Sequence, residues 1–315
     1  MKIDCDFSKF TIAVLLPCYN EEGAIGDTIR QFRSVLPDSD IYVYDNNSTD
    51  GTVNEALEAG ANVKFEYRQG KGEVVRRMFS DIDADIYIMA DGDNTYDADA
   101  APNLIQQLIG NDLDMVIGSR SIAKASYPSG HILGNKAFSA LINQFFDASL
   151  TDVFSGYRVM SKRFVKTIPV SSDGFQIETE LTVHALQQKI PIKEVPTQYI
   201  ARPEGTASKL RTFSDGFKIL SFIIFLIRDI KPLLFFTSIS LLLGLLCLLL
   251  GIPVVNEFSE TGLVPRFPTA ILASSIGVLS ITCLFTGLIL DNVSRSRVEH
   301  KALIYKLFPP ANDKM

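Results

Sequence analysis

Two stretches constrain the folding of this 315-residue chain more than any others: Pro232 to Val255 and Pro268 to Leu290 contain no charged residue. Each passes the roughly 20 residues a helix needs to cross a bilayer. Buried helices of soluble domains rarely stay uncharged for so long, so the pair reads as transmembrane helices at 232–255 and 268–290. The segment between them, Asn256 to Phe267, is too short for a domain, and Arg266 is its one basic residue. Lys209, Arg211, Lys218, Arg228 and Lys231 precede the first span, and Arg295, Arg297, Lys301 and Lys306 follow the second. The positive-inside rule then puts the N-terminal domain, both termini and a 291–315 tail in the cytoplasm. Just before the first span, Phe217, Leu220, Ile224 and Ile227 oppose Asp215, Lys218, Arg228 and Asp229. That pattern predicts an amphipathic helix over 212–231, lying in the membrane interface. Met1 to Lys9 is polar and does not read as a signal peptide. Cys5, Cys18, Cys247 and Cys283 show no CxxC spacing, so a reducing compartment is expected, with neither disulfide framework nor zinc site.

Residues 1–211 alternate between short β-branched runs and helical periodicity, which predicts an α/β domain with a mostly parallel, doubly wound sheet. Strands are expected at Phe10–Leu16, Ile41–Tyr44, Ala61–Tyr67, Ile86–Ala90, Leu113–Ile117, Tyr157–Met160 and Ile192–Tyr199. Helices are expected from about Ile25, Thr52, Lys71, Ala98, Ala137 and Gly174, with a mobile loop over Ser121 to Asn135. Charge is uneven: residues 1–119 hold 22 acidic against 9 basic residues, a net of −13, while residues 120–315 carry +7. An acidic N-terminal half argues against nucleic acid as a partner. It suits a metal site followed by a basic region that meets phosphates.

The fourth strand ends in Asp91-Gly92-Asp93. Ligands of open α/β sheets bind outside the carboxyl ends of the strands. Two carboxylates there form a hard oxygen site suited to Mg2+ or Mn2+. Gly92 would let a bulky ligand approach the backbone. Glu21, Asp45, Asp91 and Asp93 all follow strands expected to end on one edge, so they are expected to converge. Tyr19 offers a ring to stack on a base, Asp45 can accept from base N–H groups, and Asp91 and Asp93 can hold ribose and metal. Neither the dinucleotide-binding glycine fingerprint nor a P-loop is present. Glu178 and Glu180 are two apart and do not share a helix face, so one is expected to line the site.

Pro17-Cys-Tyr-Asn-Glu21, Asp45-Asn-Asn-Ser-Thr-Asp-Gly-Thr52, Asp91-Gly-Asp93, Gly118-Ser-Arg120, Ser155-Gly-Tyr-Arg158 and Ser208-Lys-Leu210, spread over about residues 10–212, resemble the family 2 GT-A glycosyltransferases. The branch they resemble is the polyprenyl-phosphate hexosyltransferases, including dolichol-phosphate mannose synthases. The resemblance implies inverting hexose transfer from UDP or GDP to a lipid phosphate. It assigns base and ribose contacts to Glu21 and Asp45 and the metal to Asp93; Pro17, Tyr19, Asp91 and Gly92 are expected to complete the nucleotide-sugar site, with Asp91 also available to the metal. It assigns phosphate contacts to Arg120, Arg202 and Lys209; Arg158 is expected to join them as a further basic residue, or else to pair with Asp152 as a structural contact. The chain departs from the pattern at Thr95, where related enzymes place a metal-ligating glutamine; Asn94 or water is left to replace it. A processive polysaccharide synthase would need more spans and a tryptophan-bearing acceptor motif, and this chain has no tryptophan. A catalytically dead membrane scaffold is the alternative from another class. The hairpin also suggests a homo-oligomer.

Overall fold

The computed structural model describes residues 7–121, 129–172, 174, 176–199, 225 and 227–314, excluding the side chains of 121, 129–137 and 314. It divides into two units: Met1–Thr212 with Lys301–Met315, and Phe213–His300.

The first unit is built on a seven-stranded sheet in the order β3-β2-β1-β4-β6-β5-β7. The strands are β1 (Ile12–Cys18), β2 (Asp40–Asp45), β3 (Asn62–Phe65), β4 (Ile86–Met89), β5 (Met115–Ser121), β6 (Arg158–Ser161) and β7 (Ile192–Gln198). β6 runs antiparallel to both neighbours, and every other pairing is parallel. The expected mostly parallel sheet is therefore present. The carboxyl ends of β1, β2, β4 and β5 share one edge, as the alternation predicted.

Both faces of the sheet are covered, which explains the unbroken apolar strands: all seven residues of β1 are buried. Val14, Leu16, Ile41, Val43, Ile86 and Ile88 meet Ile25, Ile29 and Phe32 of α1 (Ile25–Val35) and Leu104 and Leu108 of α4 (Ala101–Gly110). Ala13, Leu15, Tyr87 and Met89 face the opposite layer. That layer includes Val75 and Met78 of α3 (Lys71–Asp81), Phe164 of α6 (Lys162–Thr167) and Leu181 of α7 (Ile177–Gln187). Each such aliphatic side chain contributes about 1.5–3 kcal/mol on burial. α2 (Thr52–Glu58) completes the β2–β3 crossover.

Three local expectations shift. The helix predicted from Ala137 starts earlier: α5 covers Ser129–Phe146, so the second half of the expected loop is helical. Residues 122–128 lie outside the described part. The strand predicted from Tyr157 begins at Arg158, and the helix predicted from Ala98 opens with a single 3-10 turn, where the Asp97 carboxylate accepts from the Asp99 amide. Most of the predicted interfacial helix, with Arg202 and Lys209 before it, also lies outside the described residues.

The last residues of the chain belong to the first unit. The Tyr305 hydroxyl donates to the fully buried carboxylate of Asp114. That carboxylate also accepts from Arg163 Nε and Ser161 Oγ, each at 2.6 Å. The Arg163 guanidinium lies 4.6 Å over the Tyr305 ring. Lys301 Nζ sits 3.4 Å from His184 Nδ1, and Ala311 packs on the core layer that contains α4.

The second unit is an α-helical hairpin of α8 (Pro232–Thr261) and α9 (Phe267–Tyr305), whose last turn enters the first unit. Both helices are long and apolar enough to cross a membrane, and most of their large side chains are exposed. They exceed the uncharged stretches that announced them, leaving a tight turn with Gly262 at φ 67°. Small residues let the helices approach. The Ser280 hydroxyl donates to the Ser240 carbonyl at 2.8 Å, and a Cβ at Gly287 would lie 2.9 Å from Phe236 Cβ.

Candidate active site

The loop after β1 and the loop after β2 are stitched together. The Asn20 amide donates to Ser48 Oγ at 2.9 Å, the Thr49 amide to Asn20 Oδ1 at 2.8 Å, and the Glu21 amide to Thr52 Oγ1 at 2.8 Å. Asn20 and Asn47 hold φ values of 53° and 65°, which asparagine tolerates better than most residues. Pro17 is buried within β1 opposite Tyr44, while Tyr19 just beyond it is 38% exposed. Asp45, at the tip of β2, is almost wholly buried. Its Oδ2 accepts from the Ser48 amide at 3.0 Å, and its Oδ1 accepts no hydrogen bond among the described residues.

Asn46 reaches the next loop. Its Nδ2 donates to the carbonyls of Glu66 and Arg68, and its Oδ1 accepts from the Gly70 amide at 2.7 Å. Gly70 has φ 141°, a conformation open essentially to glycine. That turn delivers Lys71, whose Nζ lies 2.5 Å from both Asp91 Oδ1 and Glu178 Oε1. Burial disfavours the ammonium, yet the two carboxylates outweigh it and hold its pKa above the ordinary lysine value. Lys71 was missed in the sequence reading. Gly70-Lys71-Gly72 signals only a helix start, and the partners stand 20 and 107 positions away. Glu178 is the member of its pair that lines the site, whereas Glu180 holds the amides of Ser171 and Ser172.

Asp93 is buried. Its Oδ1 accepts from Thr95 Oγ1 at 2.6 Å and from the Thr95 amide at 3.3 Å. Thr95 therefore orients Asp93 with its hydroxyl, whereas the buried Asn94 Oδ1 has no hydrogen-bond partner among the described residues. Gly92 is closely packed on the side that a side chain would occupy. A Cβ there would meet Cys18 Sγ at 2.5 Å and Ile25 Cδ1 at 3.2 Å. Cys18 also registers the electrostatics of the site. Its thiol pKa is pushed well up, first by burial and then by Glu21, Asp45, Asp91 and Asp93. Cys18 therefore lies within electrostatic reach of all four carboxylates.

Arg120, at the end of β5, is held by Asp152. Its Nε and terminal nitrogen contact the two carboxylate oxygens at 2.7 and 2.6 Å, and its guanidinium lies 5.7 Å from the centre of the Tyr199 ring. The Tyr96 hydroxyl accepts from the Gly156 amide at 2.8 Å, and its ring packs against Tyr157 and Tyr199. Arg158 departs from its expected role as a phosphate ligand. It is completely buried, and its guanidinium donates to the carbonyls of Ser155, Val153 and Glu178 and to Thr182 Oγ1.

A mostly parallel sheet with acidic loops gathered at its carboxyl edge is the GT-A type of glycosyltransferase architecture, and the comparisons agree. Residues 13–168 match the model of glycosyl transferase family 2. The chain is 33% identical to glycosyltransferase AglJ of Haloferax volcanii over 237 residues, covering 73% of this chain and 76% of that protein. It is 28% identical to a dolichyl-phosphate hexose transferase of the same organism over 206 residues, covering 65% and 89%. In structure it resembles glucosyl-3-phosphoglycerate synthase from Mycobacterium tuberculosis, solved with Mn2+ and UDP-glucose. That match has a TM-score of 0.57 and 23% identity, over 70% of this chain and 79% of that one. The chain belongs to glycosyl transferase family 2 and is a glycosyltransferase with polyprenyl-phosphate sugar transferases among its relatives.

Proposed function

We propose that this chain is a polyprenyl-phosphate hexosyltransferase. It moves a hexose, with inversion, from a nucleotide sugar to undecaprenyl or dolichyl phosphate at the cytoplasmic face of a membrane, with Mg2+ or Mn2+. The observation that carries the reading is the placement of Glu21, Asp45, Asp91 and Asp93 at or just beyond the carboxyl ends of the adjacent parallel strands β1, β2 and β4. Within it, the unpartnered Asp45 Oδ1 is a buried acceptor that a base N–H would satisfy. Tyr19 is exposed enough to stack on that base. A UDP-sugar is favoured over GDP-mannose, and the Mn2+ and UDP-glucose bound by the structural neighbour support that choice.

The residues fit a shared metal site. Among the described residues no group of three or more His, Cys, Asp or Glu side chains forms a cage. Mg2+ and Mn2+ fit such a site, taking one or two carboxylates and completing their shell with diphosphate oxygens and water. Asp93 and Asp91 would hold the ion, and Asn94 Oδ1, on the next residue, has no hydrogen-bond partner among the described residues. When bound, the ion would stabilise charge on the departing diphosphate.

The acceptor explains why the site shows charge management rather than a dedicated base. A phosphate monoester has a second pKa of about 6, so at neutral pH it is already a dianionic nucleophile. The protein must bring that dianion to a negatively charged donor. Arg120 is fixed by Asp152 where β5 ends. With Arg202 and Lys209 it would screen the two phosphate groups from each other.

The test uses the purified full-length chain with Mg2+ or Mn2+, undecaprenyl phosphate, and radiolabelled nucleotide sugars including UDP-glucose and GDP-mannose. Label should enter the organic phase only when one donor, the lipid phosphate and the metal are all present. Label from GDP-mannose alone would correct the donor. Nucleotide binding without transfer from any donor would instead leave a catalytically dead scaffold.

A further inference from the structure

We propose that Arg158 is a positioning residue whose guanidinium braces Gly156 and Glu178 from behind, and through them fixes Asp91 and Lys71. The proposal rests on the transferase reading and extends it to a side chain that touches no substrate.

Arg158 is fully buried at the start of β6. Its Nε donates to the Ser155 carbonyl at 3.0 Å. One terminal nitrogen donates to the carbonyls of Val153 at 2.9 Å and Glu178 at 2.7 Å, and to Thr182 Oγ1 at 2.9 Å. The other terminal nitrogen lies 3.3 Å from Met115 Sδ. The oxygen acceptors belong to two segments, the loop 153–155 and the first turns of α7. Burial pushes the guanidinium pKa down to about 10, so it remains a cation at neutral pH. Exchanging a whole buried ion pair for apolar side chains of similar volume is often neutral or stabilising. Here a methionine or leucine would strand the carbonyls of Ser155 and Val153. The planar fork of arginine holds both at fixed angles.

Both braced segments end on Asp91. On one side, the Gly156 amide is held by Tyr96, and a Cβ at Gly156 would come within 3.1 Å of Asp91 Oδ2. On the other, Glu178 Oε1 contacts Lys71 Nζ, which contacts Asp91 Oδ1. One guanidinium therefore sets what faces each oxygen of the first aspartate of the Asp-Gly-Asp triplet. The buried charge stands one residue row behind the chemistry.

The test is a cycle of Arg158→Lys, Glu178→Gln and the double variant in the full-length chain. Arg158→Lys should lower kcat by about tenfold to a hundredfold, the scale expected for a small misplacement of reacting groups. KM for donor and lipid phosphate should change by no more than about twofold. In the Glu178→Gln background the same change should cost little more. A raised KM for lipid phosphate with unchanged kcat would instead make Arg158 an acceptor ligand, and multiplicative losses would make it an unrelated structural residue. A second readout needs no turnover: amine acylation of Lys71, followed by mass spectrometry. Lys71 should label slowly in the wild type and severalfold faster in Arg158→Lys; unchanged labelling would overturn the proposal. If Arg158→Lys shows no melting transition, Thr182→Val takes its place in both measurements. Should the transferase reading itself fail, wild-type kcat is zero while the labelling comparison still decides the role of Arg158.

Discussion

Lys71→Met is the sharpest single test of the site's electrostatics. In the wild type the ammonium separates Asp91 from Glu178 with two contacts of 2.5 Å. Removing it leaves two carboxylates facing each other, no farther apart than the sum of those contacts. Like charges about 5 Å apart repel by roughly 3 kcal/mol at an effective dielectric of about 20. The Glu178 side chain is 6% exposed and the Asp91 side chain 32%, so solvent relieves only part of that repulsion. A destabilisation of about 3 kcal/mol follows, at the lower end of what breaking a buried pair costs. For a unit of this size that lowers the melting temperature by roughly 6–12 °C. Glu178→Gln in the Lys71→Met background should recover about 1–2 kcal/mol, because it removes the more deeply buried of the stranded charges. Scanning calorimetry of the detergent-solubilised chain measures all three variants. The reasoning fails if the single substitutions add to within about 0.5 kcal/mol of the double. The sign with pH follows from the raised Lys71 pKa. The stabilisation is fully present below the ordinary lysine value of about 10.4 and is lost as pH rises through the folded value.

Three further outcomes are expected. Asp93→Ala should abolish transfer, and Arg202→Ala or Lys209→Ala should each cost at least about tenfold in rate, or about 1.4 kcal/mol, in the lipid-extraction assay. Gly92→Ala should destabilise by about 1–3 kcal/mol through collision with Cys18, and Gly92→Ala with Cys18→Ala should melt near the wild type. His184, buried against Phe164 and facing Lys301, has its pKa lowered to about 3, first by burial and then by that lysine. Its neutral form is the folded one, so stability should be full above about pH 6.5 and fall towards pH 3, by up to about 1.4 kcal/mol per pH unit. His184→Gln should flatten that slope in acid-unfolding curves.

What the sequence made legible was whatever short-range pattern encodes. Apolar runs ending in Asn, Asp and Gly located all seven strand starts to within two residues and placed the acidic loops on one edge. Side-chain direction and long-range pairing were not legible. Arg158 sits in a motif next to the site, but the strand's alternation turns its side chain into the interior rather than towards a phosphate. Lys71 carries no local mark of its role, because one of its partners lies on α7. Asp152, six positions before Arg158, pairs with Arg120 instead. The early start of α5 was hidden because Gly130 and Gly134 depress helix propensity over that stretch. The attachment of Tyr305 to Asp114 joins residues 191 positions apart, a separation at which no periodicity speaks.

That last attachment carries a parity argument. The chain leaves the catalytic unit after residue 212 and rejoins it at residue 301. A chain that must dock its end on the body it started from can pass through a bilayer only an even number of times. Two crossings by α8 and α9, or none, would keep Tyr305 on the side of Asp114. A substitution that stops one of them from inserting would leave Tyr305 on the wrong side from Asp114. Loss of the Tyr305 anchor would then report a topology error from a site within the catalytic unit itself.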